Sequence, residues 1–207
     1  MKQLKQLLSS VIVEEIVGTE NIEITAVISD SRRAIPGALF VAVRGVNVDG
    51  HSFIPSLHEK GVVAIVCEEL PMVLEPTVTY VRVANTSVAL GFIASEWWDN
   101  PSQKLKLVGV TGTNGKTTTA TLIYEMARLM GYKAGLLSTV CNYVETEAVS
   151  ATQTTPDPLT INELLHRMVE CGCSYAAMEV SSHALELERV YGIRFNVGVF
   201  TNLSEDH

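Results

Sequence analysis

Two hydrophobic periodicities alternate along the first half of the chain and predict a mixture of strands and helices. Apolar residues alternate with polar ones, or run almost continuously, in short segments that we predict as strands at 22–28, 38–43, 62–67 and 78–83. Apolar residues recur with helical spacing in segments that we predict as helices at 2–9, at 52–60 and from Asn85 or Thr86 onward. The apolar face of this last helix should comprise Val88, Phe92, Ile93 and Trp97.

The second half alternates strands and helices more regularly, which is typical of a parallel sheet covered by helices. We predict strands at 105–110, 133–138, 175–180 and 196–201, helices at 120–130 and 158–170, and a hairpin-like segment at 140–151. Asp157 and Pro158 suit the N-cap and first position of the second helix. Proline and polar residues at 99–102 mark a domain boundary. We therefore predict an α/β protein, with a mixed α/β domain at 1–100 and an incomplete, mainly parallel domain at 101–207.

Composition and charge narrow the class of protein. The 207 residues are 47% hydrophobic and 18% charged, which suits a folded chain with a substantial core. No apolar run reaches membrane-spanning length and no signal peptide is recognisable, so we expect a cytoplasmic protein. We also expect a monomer. The net charge of −8 argues against nucleic acid as a partner. Cys171 and Cys173 are predicted as buried, reduced thiols at a helix end rather than metal ligands.

A glycine-rich segment from Gly109 to Thr119 lies between a predicted buried strand and a predicted helix. Backbone N–H groups and the positive end of the helix dipole converge in such a turn, so the segment predicts a phosphate-binding loop. The general pattern requires glycine at position 110, where this chain has valine, but Gly112, Gly115, Lys116 and Thr117 retain its essential spacing. The alternative is a turn that binds nothing, which would not need lysine and threonine at the helix start.

Other candidate residues follow predicted strands at the same sheet edge. Glu179 ends a buried strand, so it is a candidate for Mg²⁺ coordination or for orienting a water molecule rather than a strand-terminating surface group. The segment after the next strand ends at His207, which is a candidate second metal ligand rather than an ordinary surface histidine. Thr154 and Thr155 precede the helix capped by Asp157 and are not needed for that cap, so we predict that they bind a phosphate or sugar. Residues 29–32 could bind a polar ligand or form a simple turn.

Four separated motifs resemble the Mur ligase family: Thr111-Gly-Thr-Asn-Gly-Lys-Thr-Thr118, Thr154-Thr-Pro-Asp157, Met178-Glu-Val-Ser-Ser-His-Ala-Leu185 and Phe200-Thr-Asn-Leu-Ser-Glu-Asp-His207. Three segments of the first domain resemble the UDP-binding domain of the members that add a diamino acid: Ser29-Asp-Ser-Arg32, Pro36-Gly-Ala-Leu-Phe40 and Gly45-Val-Asn-Val-Asp-Gly-His51. The resemblance therefore extends over the whole chain and includes both predicted domains.

The resemblance implies a role for each matching residue. ATP would be bound by the loop residues Gly112, Thr113, Asn114, Gly115, Lys116, Thr117 and Thr118. Mg²⁺ would be held by Thr117, Glu179 and His207, and the catalytic residues would be Lys116, Glu179 and His207. The UDP-N-acetylmuramoyl dipeptide would be contacted by Ser31, Thr154, Thr155, Ser181 and Arg189. His183 belongs to the motif, but we expect it to be structural.

The implied activity is ATP-dependent addition of a diamino acid, L-lysine or meso-diaminopimelate, to UDP-N-acetylmuramoyl-L-Ala-D-Glu in peptidoglycan synthesis. The reaction would pass through an acyl phosphate and release ADP and phosphate. The alternatives are another enzyme of the same superfamily and a nucleotide-dependent binding module. Because the chain ends directly after a predicted strand, we expect it to be an N-terminal fragment without turnover of its own.

Overall fold

The computed structural model describes residues 1–45 and 48–204, and the chain forms two compact units, one covering Met1–Trp97 and one beginning at Trp98. In the first unit the strands are β1 (Lys2–Gln3), β2 (Val13–Val17), β3 (Glu23–Ile24), β4 (Ala26–Ile28), β5 (Ala38–Val41), β6 (Ala64–Cys67) and β7 (Thr79–Val83). The α-helices are α1 (Leu4–Leu7), α2 (Ile54–Leu57) and α3 (Thr86–Trp97), and 3-10 turns occupy Ser31–Arg33, Gly50–Phe53 and His58–Lys60.

The main sheet of the first unit has five strands in the order β2-β7-β6-β5-β4. Strands β4 to β7 are parallel, and β2 runs antiparallel to β7 at one edge. Strands β1 and β3 form a separate antiparallel pair. Buried apolar residues on β5 and β6 pack with residues of α2 and form the centre of the core: Ala38, Phe40, Ile65, Cys67, Ile54 and Leu57.

Several local predictions for this unit are corrected. The helix predicted at 2–9 is only the short α1, and strand β2 was not predicted because as an edge strand it buries little of its apolar surface. The strand predicted at 22–28 is split at Thr25, whose N–H and hydroxyl donate to the carbonyl oxygens of Gly37 and Pro36. The helix predicted at 52–60 is a single α-turn between two 3-10 turns.

The buried face of α3 differs from the predicted one. Ile93 is buried as expected, whereas Val88, Phe92 and Trp97 are only partly buried. Small residues such as Ala89 and Ala94 occupy the buried side instead. Small side chains allow a helix to lie close to its neighbours, and α3 contacts α1, β4 and β6.

The second unit contains the strands β8 (Lys106–Thr111), β9 (Ala134–Leu137), β10 (Cys141–Val144), β11 (Glu147–Ser150), β12 (Tyr175–Glu179) and β13 (Val197–Phe200). Its α-helices are α4 (Lys116–Leu129), α5 (Pro158–Glu170) and α6 (Ser182–Glu186), and a 3-10 turn spans Pro101–Gln103. The strands form a six-stranded sheet in the order β11-β10-β9-β12-β8-β13. Strands β9, β12, β8 and β13 are parallel, and β10 and β11 form an antiparallel hairpin at one edge. The predicted α/β architecture with a mainly parallel sheet is confirmed.

The two faces of this sheet are covered by different helices. On one face, Ile161, Leu165 and Met168 of α5 pack with the strand residues Leu107, Leu137 and Met178. On the other face, Ala120, Tyr124 and Ala127 of α4 pack with the strand residues Val110, Leu136 and Ala177. Since successive side chains point to opposite faces, the covered strands are apolar on both sides. Their parallel arrangement brings their carboxyl ends to one sheet edge.

Both long helices of this unit lie close to their predicted positions. Asp157 is the N-cap of α5, accepting hydrogen bonds from the N–H groups of Leu159 and Thr160, and Pro158 is its first residue. Helix α4 begins at Lys116, four residues before the predicted start. Helix α6 was not predicted, because its five residues are too few to show a helical period in the sequence.

Two further expectations concern cysteines and membranes. Cys173 is buried, as predicted, but Cys171 is exposed because it forms the C-cap of α5 and lies beyond the apolar face. Among the helices that the structure describes, none combines the length and apolar composition needed to cross a bilayer.

Candidate nucleotide and metal site

The predicted phosphate-binding loop connects the end of β8 at Thr111 with the start of α4 at Lys116. Gly112 has a φ of 130° and Gly115 a φ of 85°, which residues with a side chain rarely adopt. A Cβ atom on Gly112 would lie 2.2 Å from Thr201 Oγ1 and 2.8 Å from the Asn202 carbonyl oxygen. The first N–H groups of α4 have no intrahelical acceptor, so they are the donors that an anion at this loop would meet.

The residues after β13 hold the loop in this shape. The N–H groups of Thr113 and Asn114 donate to the main-chain and side-chain oxygens of Asn202, each at 3.0 Å. The Thr201 hydroxyl donates to the Asn114 carbonyl oxygen at 2.7 Å. The Ser204 N–H donates to the Thr113 hydroxyl at 3.0 Å. Thr113 and Asn114 thus bond to the neighbouring loop, and their assignment as nucleotide-binding residues stays a prediction.

The Lys116 ammonium group folds back over the loop. Its Nζ donates to the carbonyl oxygens of Gly112 at 2.6 Å and Thr113 at 2.9 Å. The positive charge therefore lies at the turn that leads into α4. A bound phosphate would compete with these neutral carbonyl oxygens for the ammonium group, and charge-assisted hydrogen bonds are the stronger ones.

Glu179 is a completely buried carboxylate at the carboxyl end of β12, between β8 and β9. Its Oε1 accepts the N–H of Thr139 at 2.8 Å. Its Oε2 accepts the hydroxyl groups of Thr117 at 3.0 Å and Thr139 at 3.2 Å. Over residues 1–45 and 48–204, no lysine, arginine or histidine forms an ion pair with it.

This environment fits a divalent cation. A buried carboxylate without a positive partner is costly, and a metal ion beside it would remove that cost. Carboxylate and hydroxyl oxygens are suitable ligands for Mg²⁺, which keeps several waters and needs few protein groups. Among residues 1–45 and 48–204, no cluster of three or more His, Cys, Asp or Glu side chains is found, so the described protein oxygens at this position are those of Glu179 and the threonine hydroxyls. His207, the other predicted ligand, lies outside the described residues.

Two predicted substrate-binding residues, Thr155 and Ser181, form hydrogen bonds within the chain. The buried Thr155 hydroxyl donates to the main-chain oxygen of Glu179 at 2.9 Å and accepts the Ser181 N–H at 3.0 Å. Ser181 is the N-cap of α6 and accepts the Ala184 N–H at 3.1 Å. The Thr155 hydroxyl therefore joins the segment before α5 to the end of β12. Substrate contacts by Thr155 and Ser181 stay predictions.

Arg189 and Thr154 form hydrogen bonds close to the contact between Thr155 and the end of β12. The Arg189 guanidinium group donates to Gln153 Oε1 at 2.7 Å and to the Thr155 carbonyl oxygen at 3.0 Å, so it fixes the segment before α5. The Thr154 hydroxyl lies 3.2 Å from the Thr139 hydroxyl. His183 is exposed on α6. Substrate contacts by Thr154 and Arg189 stay predictions.

In the first unit, Ser31 begins a 3-10 turn after β4. Asp30 caps this turn by accepting the Arg32 N–H at 2.9 Å, and it also pairs with the Arg32 guanidinium group. The hydrogen bonds from Arg32 lower the pKa of Asp30 to about 2. Ser31 is buried, and its carbonyl oxygen accepts a hydrogen bond from Lys60 Nζ at 2.9 Å. Residues 29–32 thus form a capped turn, and the contact of Ser31 with a substrate stays a prediction.

Two family models match adjacent parts of the chain. The Mur ligase middle domain matches residues 110–207, and the catalytic domain of the Mur ligase family matches residues 23–98. Together they account for most of the sequence, including the loop, Glu179 and Ser31. The chain belongs to the Mur ligase family.

One curated Mur ligase, UDP-N-acetylmuramoyl-L-alanyl-D-glutamate–2,6-diaminopimelate ligase of Parabacteroides distasonis, is 55% identical over 205 residues, covering 99% of this chain and 42% of that protein. A solved structure of a ligase with the same name has a TM-score of 0.76 at 24% identity, and the match covers 100% of this chain and 41% of that one. The MurF ligase of Thermotoga maritima in complex with ADP has a TM-score of 0.57 at 23% identity, covering 88% of this chain and 38% of that one. The chain thus spans less than half the length of these Mur ligases.

Three residues of this Mur ligase site were missed as candidates in the sequence. Thr139 follows β9, and Thr201 and Asn202 follow β13, so each lies after a strand of the parallel sheet. Thr201 and Asn202 lie inside a family motif, which is a signal present in the sequence. Thr139 has no such signal, because its contact with Glu179 depends on β9 and β12 being neighbours.

Proposed function

We propose that this chain is the N-terminal part of an ATP-dependent Mur ligase that adds 2,6-diaminopimelate to UDP-N-acetylmuramoyl-L-Ala-D-Glu in peptidoglycan synthesis. The observation that carries the proposal is the pair formed by Thr117, in the first turn of α4, and the buried carboxylate of Glu179. The pair puts a potential metal site beside a phosphate-binding loop. The names of the relatives favour diaminopimelate over lysine as the incoming amino acid.

In this proposal the loop and α4 bind the phosphate groups of ATP. The N–H groups of the first turn of α4 and the ammonium group of Lys116 would meet the phosphate oxygens. Thr117 and Glu179 would hold Mg²⁺, with His207 as a further proposed ligand. The cation would neutralise phosphate charge where ATP and the acceptor carboxylate, both anions, must approach each other.

The reaction forms an amide from a carboxylate and an amine. The γ-phosphoryl group of ATP is transferred to the side-chain carboxylate of the D-glutamyl residue, which gives an acyl phosphate and ADP. The amine of the diamino acid then attacks the acyl carbon and releases phosphate. Lys116 would stabilise the negative charge on the transferred group, because its ammonium is already held over the loop by carbonyl oxygens.

The first unit would bind the UDP end of the acceptor. Ser31, in the capped turn after β4, is the proposed contact. We accordingly propose that residues 1–100 form the domain that binds the UDP substrate and that residues 101–207 belong to the domain that binds ATP. Cytoplasmic location and a monomeric state also stay predictions.

The test is ADP release by the full-length protein with the UDP-linked dipeptide and diaminopimelate. Lys116→Ala should reduce kcat by roughly 100-fold or more, since a positive group at the transferred phosphoryl is removed. Lys104→Ala is the matched control because Lys104 is exposed and lies before β8, at the opposite end of that strand from the loop. Full activity in Lys116→Ala, with an unchanged circular dichroism spectrum, would contradict the proposed role.

A second measurement separates the proposal from a nucleotide-dependent binding module. Calorimetry should detect binding of UDP-N-acetylmuramoyl-L-Ala-D-Glu as well as of ADP. A folded protein that binds ADP and has no measurable affinity for the UDP-linked dipeptide would favour the binding module instead.

A further inference from the structure

A line of hydroxyl groups connects Thr154 with Glu179 and with the first turn of α4. The Thr154 and Thr139 hydroxyl oxygens are 3.2 Å apart, and Thr139 Oγ1 is also 3.2 Å from Glu179 Oε2. On the other side of the carboxylate, the Thr117 hydroxyl donates to the same Oε2 at 3.0 Å. Thr139 therefore lies between the proposed metal ligand and a predicted substrate contact.

The directions of these hydrogen bonds follow from proton counting. An ionised carboxylate only accepts hydrogen bonds, so the single proton of the Thr139 hydroxyl is donated to Glu179. The Thr139 oxygen must then accept its second hydrogen bond from the Thr154 hydroxyl. Thr139 also donates its backbone N–H to Oε1 of Glu179, so one residue contacts both oxygens of the carboxylate.

The turn that carries Thr139 is itself fixed. The N–H of the buried Ser138 donates to Asn142 Oδ1 at 3.1 Å, and the Ser138 hydroxyl donates to the Cys141 carbonyl oxygen at 2.8 Å. These bonds hold the start of the β10 hairpin at the end of β9, next to β12. Thr139 itself is exposed, which places it between the buried carboxylate and solvent.

We propose that Thr139 is a positioning residue that orients the Glu179 carboxylate toward the proposed Mg²⁺ site, with Thr154 orienting the Thr139 hydroxyl in turn. This inference rests on the proposed function. Two-point contact fixes both the rotation and the tilt of the carboxylate, which a single hydrogen bond leaves free. Hydrogen-bond partners of metal ligands commonly contribute about 10- to 100-fold to metal affinity or activity.

The experiment measures ADP binding to the full-length protein by calorimetry over a range of Mg²⁺ concentrations. Thr139→Val keeps the side-chain shape and removes the hydroxyl, so the Mg²⁺ concentration for half-maximal enhancement of ADP affinity should rise about tenfold. ADP affinity without Mg²⁺ should stay unchanged, since the loop and α4 are not altered. Thr139→Ser keeps the hydroxyl and should behave like the unmodified protein.

Thr146→Val provides a matched control for threonine substitution at the surface. Thr146 lies in the turn of the same hairpin, and its hydroxyl contacts only Glu145 among the contacts that the structure describes. The thermal unfolding midpoint of each variant shows whether it is folded. Because Thr139 is exposed, we expect its substitution to leave the protein folded. If Thr139→Val unfolds, the comparison of Thr139→Ser with Thr139→Ala replaces it.

The outcomes distinguish this inference from the proposed function. If the unmodified protein shows no Mg²⁺ enhancement of ADP affinity, the proposed metal site is wrong. If the enhancement is present and Thr139→Val shows it at the same Mg²⁺ concentrations, the positioning role is overturned. An equal loss in Thr139→Ser and Thr139→Val would also overturn it, because the hydroxyl would then not be the decisive group.

Discussion

Gly112 offers the sharpest test of how the phosphate-binding loop is held. We expect Gly112→Ala to destabilise the protein for two reasons, backbone strain and collision. The φ of 130° is unfavourable for alanine, and the new Cβ would lie 2.2 Å from Thr201 Oγ1 and 2.8 Å from the main-chain oxygen of Asn202. The hydroxyl can move, but the backbone oxygen cannot move without shifting the loop after β13.

Two other glycines separate these contributions. Gly131, at the end of α4, has a φ of 86°, and a Cβ atom there would have no neighbour within 4 Å, so alanine at this position meets strain alone. Gly115 has a φ of 85°, and the nearest neighbours of a Cβ atom would be Thr201 side-chain carbons at 4.0 Å. Left-handed strain costs about 1–2 kcal/mol. Overpacking adds about 1–3 kcal/mol, so Gly112→Ala should cost about 2–5 kcal/mol in total.

The assay is denaturant unfolding followed by circular dichroism, together with calorimetry of ADP binding. Gly131→Ala should lower the free energy of unfolding by about 1–2 kcal/mol, the cost of strain alone, and leave ADP affinity unchanged. Gly115→Ala should lower stability by a similar amount but weaken ADP binding, because it changes the loop itself. If Gly112→Ala costs no more free energy of unfolding than Gly131→Ala, Thr201 and Asn202 do not hold the loop.

Two further predictions concern local electrostatics and capping. Asp157→Ala should lower the free energy of unfolding by about 1 kcal/mol because α5 loses its N-cap, whereas Asp157→Asn keeps an acceptor and should cost less; equal costs in denaturant unfolding would contradict the capping role. The pKa of Asp30, lowered from 3.8 to about 2 by Arg32, means that this carboxylate stabilises the fold above about pH 4 and that its contribution is lost as pH falls toward 2. Nuclear magnetic resonance titration should show this pKa, and Arg32→Ala should return it toward 3.8; an unchanged pKa in that variant would refute the assigned cause.

Local signals in the sequence were sufficient for the elements that carry the site. The glycines, lysine and threonine at 112–117 predict a phosphate-binding loop, and Asp157-Pro158 predicts the start of α5. Both depend on short-range chemistry, namely the backbone freedom of glycine and the capping of free N–H groups. Glu179 at the end of a buried strand was identified for a similar reason, since a charged residue there contrasts with its apolar neighbours.

Tertiary packing decides the features that the sequence did not predict. Small residues share the buried side of α3 with Leu90 and Ile93. Phe92 and Trp97 are only partly buried, so the size of an apolar side chain does not by itself mark the face that packs. Strand β2 is an edge strand with largely exposed residues, so its pattern carries little burial signal. The roles of Thr155 and Ser181 also depend on long-range contacts, because the Thr155 hydroxyl bonds to the main chain of Glu179 and Ser181, which are distant in sequence.

The sheet order explains why the site residues are spread so widely along the sequence. Strands β9, β12, β8 and β13 are neighbours in space, and their carboxyl ends and the loops after them supply Thr139, Glu179, the phosphate-binding loop and Asn202. Each of these segments bonds to the next: Thr139 to Glu179, Glu179 to Thr117, and Asn202 to Asn114. A change in any one of them should therefore alter the geometry of its neighbour. Thr139 follows β9 and Gly112 follows β8, on opposite sides of β12 and Glu179, so substitutions at these two positions perturb the same set of contacts from different strands.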